Sequence, residues 1–366
     1  MANTSEGIVT VSTASNASTA PGPGQQTAAA AQRASAVTDT GASADTGASN
    51  STDTSTSTGT ATGAGTADTL GIADRARAVR EGGPLVQCIT NTVVQQFAAN
   101  ALLAVGAAPA MLDHEADAAD FAHVASALNV NLGTATSHQL LAADQAIGVM
   151  AEEDKPWVLD PVSVGASAYR TSRIRALTAQ RPTAVRGNAS EIALLAGAGA
   201  GGRGVDSTDS VDAVVGAAAR LARDTGGIVA VSGERDAIVA AQGDRAVIAR
   251  VSGGSSLMPL VIGTGCSLGA VLAAYLAASR ADEANTRATG SDAGSVAPEE
   301  RLHNDFTAAI AAHAHFAAAG HRAALAAAGP GTFAPAFLDA LFLLDAEELG
   351  AVRIELATAT FEELRA

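Results

Sequence analysis

Short, continuous apolar runs separated by helix-patterned stretches constrain this chain more than any other feature. LVQCIT (85–90), AAPAML (107–112), NVNLGT (129–134), WVLD (157–160) and TAVRGN (183–188) each end in small or polar residues. Helical periodicity fills the gaps, through Phe97 to Val105, Ala118 to Leu128 and Leu141 to Glu152. Strands buried on both faces read as unbroken apolar runs, and parallel neighbours need helical crossovers. The pattern predicts an α/β fold with a mostly parallel central sheet. With 48% hydrophobic but only 3% aromatic residues, its core must be built from Ala, Val, Leu and Ile.

Other regions read differently. Residues 1–69 are almost wholly Ser, Thr, Ala, Gly, Asp and Asn, too polar to offset chain entropy, and are expected to be a disordered tail. IVAVSG (228–233), AIVAA and AVIARV, the last two separated by Gln242-Gly243-Asp244, predict an antiparallel hairpin at the edge of the sheet. Helices through Ser267–Ser279, Phe306–Gly320 and Pro335–Leu344 dominate the last third. The polar stretch 280–302 between them reads as an exposed insertion loop. Residues 70–366 are expected to form one domain without internal repeats.

Several function classes are excluded by what is missing. A net charge of −15 without Lys/Arg clusters argues against nucleic-acid binding. Two cysteines, Cys88 and Cys266, make neither a disulfide framework nor a multi-cysteine metal site, and they fit a reducing cytoplasm. The opening MANTSEGIVTVSTASN lacks the basic and apolar regions of a signal peptide, and no apolar run is long enough for a membrane span. Lys155, the single lysine, precedes a strand, so there is no GxxxxGK[ST] loop. GxGxxG does not follow the first strand. His313 and His315, two apart on a helix, point in different directions and read as surface side chains, not metal ligands.

In open α/β sheets ligands bind beyond the carboxyl ends of the strands. The segment VIGTGCSLGAVLAAYLA puts Gly263, Gly265 and Cys266 at the start of a long helix. Glycines let backbone N–H groups approach a ligand, and the helix dipole favours anions there. A cysteine in that position is expected to have a stabilised thiolate. Leu272 stands where a phosphatase-type nucleophile needs arginine, so Cys266 reads as a helper of an attacking hydroxyl and not as a covalent nucleophile. RGNASEI adds Arg186 for phosphate oxygens and Glu191 for a divalent cation, and Asp160 ends the neighbouring strand.

Taken together, VQCITNTVVQQFAANALLAVGAAPAM, LNVNLGT, VLDPVSVGAS, VRGNASEI, AVSGERD, GTGCSLGAVLAA and GPGTFAPAFLDAL resemble the hydroxyethylthiazole kinase family, in this order from about Ala73 to Glu348. The resemblance implies a ribokinase-like three-layer αβα sandwich. It also implies transfer of the γ-phosphate of ATP, with Mg²⁺, to 4-methyl-5-(2-hydroxyethyl)thiazole, in a homotrimer. It carries substrate contact to Met111 and Gly263, ATP contact to Arg186 and Ser232, magnesium-side carboxylates to Asp160 and Glu191, and the anion-hole cysteine to Cys266. Asn91, in the matching Ile-Thr-Asn block, is a further substrate-side candidate. Ile262 stands where the family has Thr, and Ser163 and Ser167 replace Gly and Thr. A kinase for another thiamine precursor, such as hydroxymethylpyrimidine, and a binding protein without turnover are the two competing readings.

Overall fold

The computed structural model describes residues 62–66, 70–197, 210–289 and 296–365. These residues fall within one compact unit, Thr58–Ala366. The expectation for the tail falls mostly outside the described residues.

The parallel strands follow the apolar runs. They are β2 (Leu85–Ile89), β3 (Ala108–Ala110), β4 (Ala127–Asn131), β5 (Trp157–Asp160), β6 (Ala184–Asn188) and β7 (Ile228–Ser232). The crossovers between them are helical: α2 (Gln95–Val105), α3 (Ala118–Val124), α4 (Ser137–Glu152), α5 (Ala168–Thr178), and α6 (Ala189–Leu195) with α7 (Val211–Thr225). The antiparallel strands are β8 (Arg235–Gln242), β9 (Arg245–Ser252), β10 (Arg353–Thr360) and β1 (Thr62–Thr66). One sheet joins all of them in the order β1-β10-β9-β8-β7-β6-β5-β4-β2-β3. The β8–β9 hairpin is therefore interior, because β10 pairs with β9 and β1 with β10. Within 1–69 the described residues are those of β1, whose TGAGT pairs with β10 through the backbone.

Alternation along the strands divides the core into two layers. Val86, Cys88, Ala127, Val158 and Ala184 face α1 (Ile72–Gly82), α2, α8 (Thr264–Thr289), α9 (Pro298–Ala326) and α10 (Pro330–Leu343). Ile89, Leu128, Val130, Leu159 and Val185 face α3 to α7. This is the three-layer αβα arrangement. Burying each Val, Leu or Ile contributes roughly 1.5–3 kcal/mol, so the small-residue core is strong through number. Cys88 is part of it, and burial pushes its thiol up to about 12.

The stretch 280–302 is not a loop throughout. α8 runs to Thr289 and α9 begins at Pro298, with 290–295 outside the described residues. Two of its charges find partners on the other helix: Arg280 meets Asp305 at 2.8 Å and Asn304 donates to Glu283 at 2.9 Å. His313 and His315 of α9 are likewise buried and not on the surface, whereas His303 and His321 of the same helix are exposed. His315 Nδ1 lies 2.6 Å from the Tyr275 hydroxyl and its Nε2 2.9 Å from the Leu341 carbonyl, so Nε2 carries the proton and Nδ1 accepts. Burial lowers this imidazole to about 4.

Candidate functional site

Parallel registration brings one polar side chain from each of five adjacent strands to the carboxyl edge. Asn131 pairs with Asp160 across β4 and β5, and Asn188 with Ser232 across β6 and β7. Asn91, just beyond β2, donates Nδ2 to Asn131 Oδ1 at 3.0 Å. Asn131 in turn donates Nδ2 to Asp160 Oδ2 at 3.1 Å. Arg186 on β6 lies 3.7 Å from Asp160 and donates Nε and Nη2 to Ser232 Oγ at 3.1 and 2.8 Å. The row Asn91, Asn131, Asp160, Arg186, Ser232 thus follows the strand order β2-β4-β5-β6-β7. Asp160 is its middle member, and Asn131, to which the sequence assigned no role, links it to Asn91.

The start of α8 lies over this row because three residues there lack a side chain. Gly263 has φ +104, and a Cβ on it would come within 3.0 Å of Phe97. A Cβ on Gly265 would stand 3.3 Å from Arg186 Nη1. One on Gly269 would stand 3.1 Å from Asn129 Oδ1 and 3.6 Å from Asp160 Oδ2. The first turns of the helix therefore rest against a guanidinium and a carboxylate. Cys266 Sγ receives Asn91 Nδ2 at 3.6 Å, which joins the thiol to the row.

The electrostatics correct one expectation. Cys266 is not a stabilised thiolate: burial first, and then the Asp160 charge, raise the thiol above its ordinary value. Asp160 is completely buried, and desolvation reinforced by Glu191 pushes it up to about 7 against the pull of Arg186 and Asn131. Its Oδ1 has no hydrogen-bond partner.

Glu191 enters through a capping box. Asn188 Oδ1 accepts from the Glu191 N–H at 2.9 Å, and Glu191 Oε2 accepts from the Asn188 N–H at 2.9 Å. That is the helix-stabilising role open to any carboxylate there, but it also fixes a second acid close enough to act on Asp160. Met111 stands apart, half-buried just past β3, the outermost strand and three strands from β5. It flanks the row within one chain instead of joining it.

Ser163, in the loop after Asp160, has φ +72, in the left-handed region that favours glycine. Asp236 and His313 form a pair the sequence gave no reason to connect. Asp236 Oδ1 accepts from the Gly233 N–H at 2.8 Å and Oδ2 lies 2.6 Å from His313 Nδ1, fixing the turn after Ser232. A cleft of about 1120 Å³ between α1, α8 and α9 lies at the other pole, where Pro84, Ser126 and Pro156 precede their strands. It is remote from this row.

The chain is similar to known proteins over most of its length. Residues 76–347 match the sequence profile of the Hydroxyethylthiazole kinase family. A hydroxyethylthiazole kinase of Corynebacterium glutamicum (strain R) is 48% identical over 279 residues, covering 76% of this chain and 96% of that protein. One from Kineococcus radiotolerans is 46% identical over 282 residues, covering 77% and 92%. Among solved structures, the hydroxyethylthiazole kinase protein from Pyrococcus horikoshii OT3 superposes with a TM-score of 0.64 at 29% identity, over 78% of this chain and 98% of that one.

Proposed function

Because the chain belongs to the hydroxyethylthiazole kinase family, we propose that it transfers the γ-phosphoryl group of ATP to the primary hydroxyl of 4-methyl-5-(2-hydroxyethyl)thiazole. The observation that carries this reading is the five-strand polar row lying under a glycine-lined helix N-terminus. Phosphoryl transfer asks a protein mainly for positioning and for charge stabilisation, and this row supplies both.

In the reaction the alcohol oxygen bonds to the γ-phosphorus, the bond from that phosphorus to the bridging oxygen breaks with its electron pair passing to ADP, which leaves, and the hydroxyl proton is released to solvent. The N–H groups at Gly263–Cys266 hold the charge on the transferred group. Arg186, held in orientation by the Ser232 hydroxyl, neutralises phosphate oxygens of the nucleotide. Cys266, its thiol raised by burial, keeps its proton near neutral pH and orients the attacking hydroxyl by hydrogen bonding, with Asn91 beside it. Met111 and Gly263 contact the thiazole.

Asp160 and Glu191 would hold Mg²⁺. Oxygen donors suit this hard cation, and the buried, unpartnered Asp160 Oδ1 is an atom that such an ion satisfies. When bound, Mg²⁺ neutralises charge on the phosphate oxygens.

A homotrimer and a cytoplasmic location belong to the same reading. Exposed apolar Val93, Leu260 and Ile262 lie in the loops after β2 and before α8, where a neighbouring subunit would cover them. Among the described residues no helix is long and apolar enough to cross a membrane. The test is the purified chain with ATP, Mg²⁺ and the thiazole alcohol, analysed for phosphate ester by mass spectrometry. Ester formation at a rate above that with hydroxymethylpyrimidine is expected. Preference for the pyrimidine, or binding without ester, would overturn the proposal.

A further inference from the structure

Outside the polar row, the turn between β3 and α3 and the start of α4 bring together three donor side chains. His114 and Glu115 lie in that turn, and His138 is the second residue of α4. The two imidazoles stack with centroids 5.3 Å apart and planes 15° apart. Both turn Nδ1 toward one carboxylate: His138 Nδ1 is 2.5 Å from Glu115 Oε1, and His114 Nδ1 is 3.7 Å from Glu115 Oε2. One donor atom from each residue lies within 4.8 Å of the others.

Hydrogen bonding leaves this cluster incomplete. Glu115 Oε2 is closed off from solvent and has no hydrogen-bond partner, which is unfavourable for a carboxylate oxygen. The carboxylate is ionised at neutral pH, since its bond to His138 holds it below the usual range. His114 Nδ1 accepts from the Ala116 N–H at 3.1 Å, but Ala116 is exposed, so water can take over that amide. A cation among the three donors satisfies Oε2 and both rings together.

Donor chemistry selects the class of ion. Two imidazole nitrogens and one carboxylate oxygen suit Zn²⁺ and its borderline neighbours, with a fourth position left for water, whereas Mg²⁺ and Ca²⁺ prefer oxygen alone. We propose that His114, Glu115 and His138 form a binding site for a zinc-class divalent ion that clips the β3–α3 turn to the first turn of α4. The clip reinforces a bond already present between neighbouring residues, since Gln139 Nε2 donates to Asp113 Oδ2 at 2.7 Å.

The experiment uses full-length, tag-free protein stripped with chelator and titrated calorimetrically with Zn²⁺, with Mg²⁺ for comparison and Co²⁺ as an optical probe. It needs no substrate, so its outcome is independent of the kinase assay. One equivalent of Zn²⁺ per chain, a tetrahedral Co²⁺ absorption band and a raised melting temperature are expected. His138→Ala and the shape-conserving Glu115→Gln should each weaken Zn²⁺ binding by at least about tenfold. His123→Ala, at a separate exposed histidine 2.6 Å from Glu153, should leave it unchanged. No binding by the native chain, Zn²⁺ affinity indifferent to both cluster variants, or equal affinity for Mg²⁺ would each overturn the proposal.

Discussion

Two buried aspartates at different places in this molecule have the same titration behaviour and opposite surroundings. Burial pushes both Asp160 and Asp305 up to about 7. Each also has an Oδ1 without a hydrogen-bond partner. Asp305 is in a closed network between α8 and α9, with Arg280 at 2.8 Å, and Arg280 and Arg301 near Glu283. Asp160 has its nearest arginine at 3.7 Å, because Arg186 gives its closer hydrogen bonds to Ser232. It also lies at a strand end, near the side-chain-free face of α8. A perturbed carboxyl therefore does not identify a site by itself. What distinguishes Asp160 is a cation beside it whose closer bonds go to a neutral hydroxyl, and backbone close enough for a ligand to be held.

Substitution at the two positions gives the largest contrast. Asp160→Asn should lower kcat by about a hundredfold to a thousandfold, the range seen when one electrostatic contact to a transition state is lost. Asp305→Asn should leave kcat unchanged. Steady-state kinetics on both variants checks this, and equal losses would break the distinction. Next in size is stability. Arg280→Met removes the ion pair of the buried Asp305 and should destabilise the fold by roughly 3–5 kcal/mol in denaturant titrations.

The pH dependence of stability sharpens the comparison further. Asp305 has a folded-state pKa near 7 against an ordinary 3.8, so the folded protein binds this proton more tightly than the unfolded chain does. Its contribution is greatest below about 4 and is lost as pH rises through about 7. Arg280 and Arg301 oppose the shift, while Glu283 and Asp154 add to it. Asp305→Asn should flatten the decline in melting temperature between these limits. The smallest effect is expected at Ser163, whose left-handed backbone costs about 1 kcal/mol. Ser163→Gly should raise the melting temperature slightly, with kcat unchanged.

How much of this was legible in the sequence followed the range of the interactions involved. The parallel strands could be read because burial on both faces leaves unbroken apolar runs, and WVLD matches β5 residue for residue. Asp160 and Ser232 could be placed at strand ends because the same apolar runs stop there. β10 escaped because RIELATAT carries Glu and three Thr or Arg neighbours among its apolar positions and pairs with distant β9. Residues 280–289 looked like loop because their charges find partners on α9, more than twenty positions away. The Cys266 expectation failed for a related reason. The helix dipole is local and readable, but desolvation depends on how α8 packs on the sheet. His313 was misread in the same way, since Asp236 is 77 positions distant.

The central claim is that chemistry takes place where α8 meets the polar row, with Cys266 orienting the acceptor. Its most direct test is Cys266→Ala, comparing the single-turnover rate of ester formation with equilibrium binding of the thiazole alcohol. The account predicts turnover slowed by at least about tenfold with binding changed much less. A fully active Cys266→Ala protein would contradict it.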